Sequence, residues 1–380
     1  MKDYLKLSIE MHKKFNGKLE IKSKVPLENR DDLSTVYSPG VAGPCLEISK
    51  DKKNAFKLTS AKKTIGIISD GTAVLGLGNI GPDAAIPVME GKALLFKKFA
   101  GLDAFPIVLN AKSTDEIVNA VKAIAPSFGG INLEDISAPN AFEVEDRLKK
   151  ELDIPVFHDD QHGTAIVVLA GLINALKVVN KGKEAKIVVN GAGAAGIAVV
   201  KLLHKYGFKD IIVCDSKGII SNERGDLNNS KKEILSYSNK NNLSGNLLQA
   251  MKGSDIFVGV SKGDLLKKEH IKAMNKKPIV FALANPRAEL APELAQEYNI
   301  EVFATGRSDY PNQINNVLAF PGIFKGAIEA KAKNISEKML IEAAKALSNL
   351  VKFPTASKII PGPFESDIAS IIAEAVKKAV

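Results

Sequence analysis

From residue 64 onward the chain alternates short β-branched runs with segments whose apolar positions recur every three to four residues. "TIGIISDG" (64–71) predicts a strand, and "EGKALLFKKFAG" (90–101) a helix closed by Gly101. "AFPIVLN" (104–110) predicts the next strand. The helix after it, "TDEIVNAVKAIA" (114–125), carries acids in its first turn and Pro126 beyond its end. "GGINLEDI" (129–136) is strand-like, "NAFEVEDRLKKELD" (140–153) is amphipathic, and "IPVFHDD" (154–160) is again a strand. A second series opens at "AKIVVN" (185–190) and continues through "IIVC" (211–214), "SDIFVGVS" (254–261), "KPIVFALANP" (277–286) and "IEVFATG" (300–306). Strands alternating with helices predict parallel sheets covered on both faces. The expectation is an α/β protein of two units meeting near residue 158, with a mostly helical tail over 325–380.

Composition changes this picture little. At 380 residues and 45% hydrophobic content, two substantial cores are expected. The net charge of +9 invites a nucleic-acid reading, but only five of the 52 basic residues are arginine, and the lysines are scattered among acids. Phosphate clamps and base readers favour clustered Arg. No nucleic-acid partner is expected, only a mild attraction for anionic substrates. The apolar run at 164–173 contains a glycine and soon meets Asn174 and Lys177, too short for a membrane span. "MKDYLKLSIEMHKKF" has no signal-peptide core, so a cytoplasmic location is expected. Cys45 and Cys214, far apart, suggest neither a disulfide framework nor a thiolate metal site.

"VVNGAGAAG" sets Gly191, Gly193 and Gly196 as G-x-G-x-x-G between a predicted strand and helix. Asp215 ends the next strand, 19 residues after Gly196, the spacing of a carboxylate that grips an adenosine ribose. Dinucleotide binding follows. Asp215 favours NAD, because a carboxylate repels the extra phosphate of NADP, while Ser216 and Lys217 beside it are groups able to receive that phosphate.

Two acidic pairs close neighbouring strands: Glu134-Asp135 and Asp159-Asp160, the latter inside "HDDQH". Ligands of parallel sheets gather at the carboxyl ends of the strands. Four converging carboxylates repel one another unless a cation sits among them. Oxygen donors alone indicate Mg²⁺ or Mn²⁺. No cysteine-histidine cluster supports zinc, so His158 and His162 read as packing or supporting groups. Lys92 is placed at the opening of an otherwise apolar helix, where it opposes the dipole, an odd position for mere solubility. Tyr37 lies in the turn-rich "VYSPGVAGP" (36–44), and residue pattern alone does not single it out.

Taken together, "YSPGVAGPC", "GLGNIGPDAAIPVMEGKALLFKKFAGLDAFP", "INLEDISAPNAFEVE", "VFHDDQHGTAIVVLAGL", "NGAGAAG", "ALANP" and "ATGRSDYPNQINNVLAFPG" resemble the malic enzymes in their short prokaryotic form, over essentially the whole chain and in the same order. The resemblance implies an N-terminal malic domain over 1–157 and a Rossmann-type domain over 158–380, without a phosphotransacetylase-like extension. It implies NAD- or NADP-linked oxidative decarboxylation of L-malate to pyruvate and CO₂. Glu134, Asp135 and Asp160 match its metal ligands, Lys92 its general base, Asp159 the carboxylate assisting that base, and Tyr37 its general acid. Asn285 matches a group facing substrate and cofactor, and Asn316 one facing substrate. A homodimer is expected, with the N-terminal segment able to reach a neighbouring site. One departure concerns the arginine that large eukaryotic members carry beside "LGLG": here the position is Ala73. Three alternatives stay open: a malolactic enzyme that keeps its cofactor and releases lactate, an amino-acid dehydrogenase, and a non-catalytic dinucleotide sensor.

Overall fold

The computed structural model describes residues 3–74, 76–285, 287–365 and 367–380. Two sheets carry the fold. In the first, β1 (Thr64–Ser69), β2 (Asp103–Val108), β3 (Gly130–Leu133) and β4 (Val156–His158) lie in the order β2-β1-β3-β4, all parallel. β1, β3 and β4 are buried at every position, which their near-continuous apolar sequence requires. The second sheet holds β5 (Ile187–Asn190), β6 (Ile211–Asp215), β7 (Gly218–Ile219), β8 (Ile256–Gly259), β9 (Ile279–Ala282) and β10 (Val302–Thr305). Its order is β10-β9-β8-β5-β6-β7, with β7 alone antiparallel. Chain order therefore runs outward from β5 on one side, then resumes at β8 on the other. A ligand crevice opens at such a reversal, beyond the carboxyl ends of the strands.

The helix Thr164–Val179 joins the two sheets and is apolar almost all round; twelve of its sixteen residues are buried. A π-turn, Asp159–Gly163, runs directly into it, making a continuous 21-residue helix. Among the described residues this is the one helix long and apolar enough to cross a membrane, longer than the sequence run implied. It is nevertheless 72% buried inside the protein, as a core helix must be. The tail then returns to the first sheet. The helix Phe320–Glu329 sets Phe320 and Phe324 against Phe96, at ring distances of 4.7 and 5.4 Å, and Phe324 against Phe157 at 5.7 Å. Its Gly322 and Gly326 admit the helix Ile368–Lys378: a Cβ at either would stand within 2.8 Å of Ile372 or Val376.

Two local expectations fail. The helix carrying Lys92 begins at Pro82, not near Glu90, and runs to Leu95 before a π-turn ends at Gly101. Pro82 occupies its first turn, where a missing N–H costs nothing, and Pro87 is accommodated within it. The turn-rich loop around Tyr37 also hides a helix, Ala42–Lys50, with Gly43 and Pro44 in its first turn.

Candidate active site

β3 and β4 are hydrogen-bonded neighbours, and they deliver the acids. Glu134 and Asp135 follow the last residue of β3; Asp159 and Asp160 follow the last residue of β4. One oxygen each from Glu134, Asp135 and Asp160 lie within 4.8 Å of one another. The Asp135 amide donates to Asp160 Oδ2 at 2.8 Å, and the Asp135 carbonyl accepts from the Ala73 amide at 2.9 Å. Asp135 holds a left-handed backbone, φ 55°. Aspartate tolerates that region better than most residues, and such strain collects at functional sites.

Lys92 sits in the last turn of Pro82–Leu95, so its charge complements the helix dipole instead of opposing it. Its Nζ lies 2.6 Å from Asp159 Oδ2, 2.8 Å from Glu134 Oε1 and 4.4 Å from the centre of the Phe320 ring, and the residue is 7% exposed. Burial favours the neutral amine, but Asp159 and Glu134 outweigh it and raise the Lys92 pKa. Burial pushes Asp159 up to about 6 against the pull of Lys92. Burial also raises Glu134 and Asp160, and each has a neighbouring carboxylate that adds to the effect. Asp159 Oδ1 is buried with no hydrogen-bond partner among the described residues. Four carboxylates around one ammonium leave a buried excess of negative charge, and the all-oxygen donor set fits a divalent Mg²⁺ or Mn²⁺ ion.

Sequence reasoning passed over Glu145, which braces this cluster from behind. Buried in the helix Asn140–Glu151, it accepts from the His158 amide at 3.0 Å and from Lys149 Nζ at 2.8 Å, and it pairs with His162 Nε2 at 2.9 Å. Burial would raise its pKa, yet His162 and Lys149 hold it below the usual carboxylate range. Its signal was present: Glu145 falls on the buried stripe of Ala141, Val144 and Leu148, where an acid needs a partner. His162 therefore serves Glu145. Burial pushes the His158 imidazole down to about 4, leaving it neutral.

At the second sheet, Gly191 has φ +126°, and a Cβ there would stand 2.7 Å from the Val260 carbonyl oxygen, in the loop after β8. A Cβ at Gly196 would strike the Gly191 carbonyl oxygen at 1.7 Å, so the strand-helix junction closes only with glycine. Gly193, capping the helix Ala194–Tyr206, has nothing within 4 Å of its Cβ position. That open face before a helix N-terminus fits a dinucleotide pyrophosphate. Asp215 ends β6 as expected, but its carboxylate is taken up by Arg224 and Lys231. Asn285 follows β9 and lies against Gly306, while Asn316 packs on the Asp159–Gly163 turn at Gly163. Glu289, also missed, is fully buried and accepts the Ser261 and Ala284 amides at 3.0 Å each, tying together the loops after β8 and β9.

Tyr37 is 68% exposed, at the end of the helix Arg30–Val36, whereas Lys92 is buried.

Residues 161–380 match the family described as malic enzyme, NAD binding domain, and residues 16–116 and 110–149 match malic enzyme, N-terminal domain. The chain belongs to the malic enzyme family. It is 54% identical over 376 residues to a bifunctional malic/malolactic enzyme of Bacillus subtilis, covering 98% of this chain and 92% of that one. An NAD-dependent malic enzyme of Geobacillus stearothermophilus is 55% identical over 366 residues, covering 96% and 76%. The crystal structure of an NAD-dependent malic enzyme from Thermotoga maritima superposes with a TM-score of 0.95 at 47% identity, covering 98% and 99%. A malic enzyme needs a base, an electrophile and a hydride acceptor around one carbon.

Proposed function

We propose that this malic enzyme family member oxidises L-malate at C2 with NAD or NADP and decarboxylates the product to pyruvate and CO₂. The observation that carries the reading is the buried Lys92 bonded to both Asp159 and Glu134, beside a three-carboxylate cluster. Glu134, Asp135 and Asp160 are the residues to hold a divalent ion. That ion would polarise the C2 oxygen of the substrate as a Lewis acid and, by taking up the charge of Glu134, favour the neutral form of Lys92.

Lys92 takes the proton from the C2 hydroxyl as hydride leaves C2 for the nicotinamide, and Asp159 keeps its ammonium oriented. After CO₂ departs, the enol carbon at C3 needs a proton, and Tyr37 is its donor. Asn285 and Asn316 orient the substrate, Asn285 also facing the nicotinamide end of the cofactor; Gly191, Gly193 and Gly196 receive the pyrophosphate. The N-terminal unit is taken as residues 1–157 and the dinucleotide unit as 158–380, with catalysis between them in the cytoplasm.

Tyr37 requires a second chain. The four α-helices within residues 4–58 have no buried residue, and most of the exposed large apolar side chains of the described residues lie in that segment. Leaving so much apolar surface in water is unfavourable, and a symmetric partner covers it. We place Tyr37 in the partner's active site of a homodimer.

The deciding assay supplies malate and Mn²⁺ with NAD or NADP and identifies the products. Pyruvate with reduced nucleotide, abolished by EDTA and restored by Mn²⁺ or Mg²⁺, is expected. Lactate without free reduced nucleotide would establish the malolactic reaction instead, which the Bacillus subtilis similarity makes worth testing. Full activity in chelator would end the metal assignment.

A further inference from the structure

Glu289 carries a buried charge that the proposed chemistry leaves unused. It is 0% exposed, yet among the described residues no cation is bonded to it. Burying an ionised carboxylate is costly unless its oxygens are hydrogen-bonded. Its partners are backbone amides: Oε1 accepts from Ser261 and Oε2 from Ala284, at 3.0 Å each. Burial raises its pKa, and these amides pull against the rise. Gly259, the last residue of β8, leaves room for the carboxylate, since a Cβ there would stand 2.4 Å from Glu289 Cδ. A glutamine has one acceptor oxygen and would turn its NH₂ group onto the second amide, so only a carboxylate meets both donors. The two amides belong to the loops after β8 and β9, on which Ser261 and Asn285 are exposed.

A trans peptide points its N–H and C=O in opposite directions, and both of these peptides are trans. Turning the Ser261 and Ala284 amides onto Glu289 therefore turns the Val260 and Leu283 carbonyls away from it. Those oxygens border the crevice. The Val260 oxygen lies 2.7 Å from where a Gly191 Cβ would stand. The Leu283 oxygen lies 3.2 Å from the Cβ position of Gly306, which Asn285 Nδ2 approaches to 3.1 Å. With the adenosine half of a dinucleotide over β5 and β6, its nicotinamide half extends over β8 and β9. We infer that Glu289 is a positioning residue for that half: by holding two amides, it presents the Val260 and Leu283 carbonyls as acceptors for the carboxamide N–H donors of the nicotinamide. The inference rests on the dinucleotide reading above and deepens it. It makes the site favour a pyridine ring bearing a hydrogen-bond donor, and it assigns that preference to a residue that touches no ligand.

The test uses binding rather than turnover. Calorimetric titration of the intact protein compares NADH with its 3-acetylpyridine analogue, whose acetyl group has no N–H, and with ADP-ribose, which lacks the pyridine ring. The unmodified protein should bind NADH about tenfold more tightly than the analogue, the value of one or two hydrogen bonds. Glu289→Gln should bind NADH about tenfold more weakly and lose that preference, while its ADP-ribose affinity stays within about threefold. Equal binding of NADH and the analogue by the unmodified protein would overturn the inference, and that comparison holds whether or not the glutamine variant folds. A Glu289→Gln protein that keeps the preference would overturn it too. So would one that weakens ADP-ribose as much as NADH, since Glu289 would then support the sheet as a whole. If the unmodified protein binds neither NADH nor ADP-ribose, the dinucleotide reading itself falls and takes this inference with it.

Discussion

Lys92 shows how one side chain acquires a role from its surroundings. The same residue type is scattered over the surface elsewhere, yet this copy is 7% exposed, bonded to two carboxylates and seated over an aromatic ring. The two proton-transfer roles proposed for Lys92 and Tyr37 stand at opposite ends of the reaction and are separable by kinetics. Lys92→Ala should abolish the pre-steady-state burst of reduced nucleotide, since its proposed step precedes hydride transfer. Tyr37→Phe should keep that burst and slow later turnover, each loss being about 10²–10⁴-fold. Stopped-flow absorbance of the nicotinamide distinguishes them; a burst lost in Tyr37→Phe and kept in Lys92→Ala would mean the roles are exchanged. Ammonium added to the lysine variant as a diffusible base should recover part of its rate.

Elements, not single residues, set the approach of the cofactor. The β5-to-helix junction depends on three glycines for three different reasons, and substitution separates them. Gly196→Ala drives a methyl into the Gly191 carbonyl, at 1.7 Å before relaxation, so thermal stability should fall sharply. Gly193→Ala meets nothing within 4 Å in the protein, so the melting temperature should hardly move. Its methyl nevertheless occupies the open face proposed to receive the pyrophosphate, and nucleotide affinity should drop about tenfold or more. A Gly193→Ala protein with normal nucleotide affinity would show that the pyrophosphate lies elsewhere. On the other sheet, the register of β3 beside β4 does comparable work: pairing Leu133 with His158 puts the next residues of both strands at one height, and those are the acids.

At the scale of the whole molecule, the shared site proposed above accounts for both the exposed N-terminal segment and the exposure of Tyr37. Mixing distinguishes it from a single-chain site. If each site takes Lys92 from one chain and Tyr37 from the other, a Lys92→Ala/Tyr37→Phe heterodimer has one site with both defects and one with neither. Unfolding and refolding the two variants together should then recover about a quarter of normal activity, half the dimers being hybrids with one working site each. If both groups come from one chain, every site keeps a defect and no activity returns. Sedimentation should accompany the assay, and a fully active monomer would rule the exchange out.

The sequence by itself determined the succession of strands and helices, because burial on both faces demands apolar runs of the kind seen at β1, β3 and β5. It also placed Glu134, Asp135, Asp159, Asp160 and Gly191 to Gly196 at strand ends, since strand boundaries are local. Start points guarded by proline were less legible: Pro82 and Pro87 obscured the front of the Lys92 helix, and so the relation of Lys92 to its dipole. Tertiary structure alone decided the rest. Strand order put β3 against β4, and the returning tail set Phe320 beneath Lys92. Packing turned Glu145 and Glu289 into buried braces, and it closed Arg224 and Lys231 onto Asp215, changing what that acid can accept. Spacing along a chain reports which groups stand at a site. Their charge states and free donors depend on neighbours drawn from distant segments, and those are settled only when the sheets assemble.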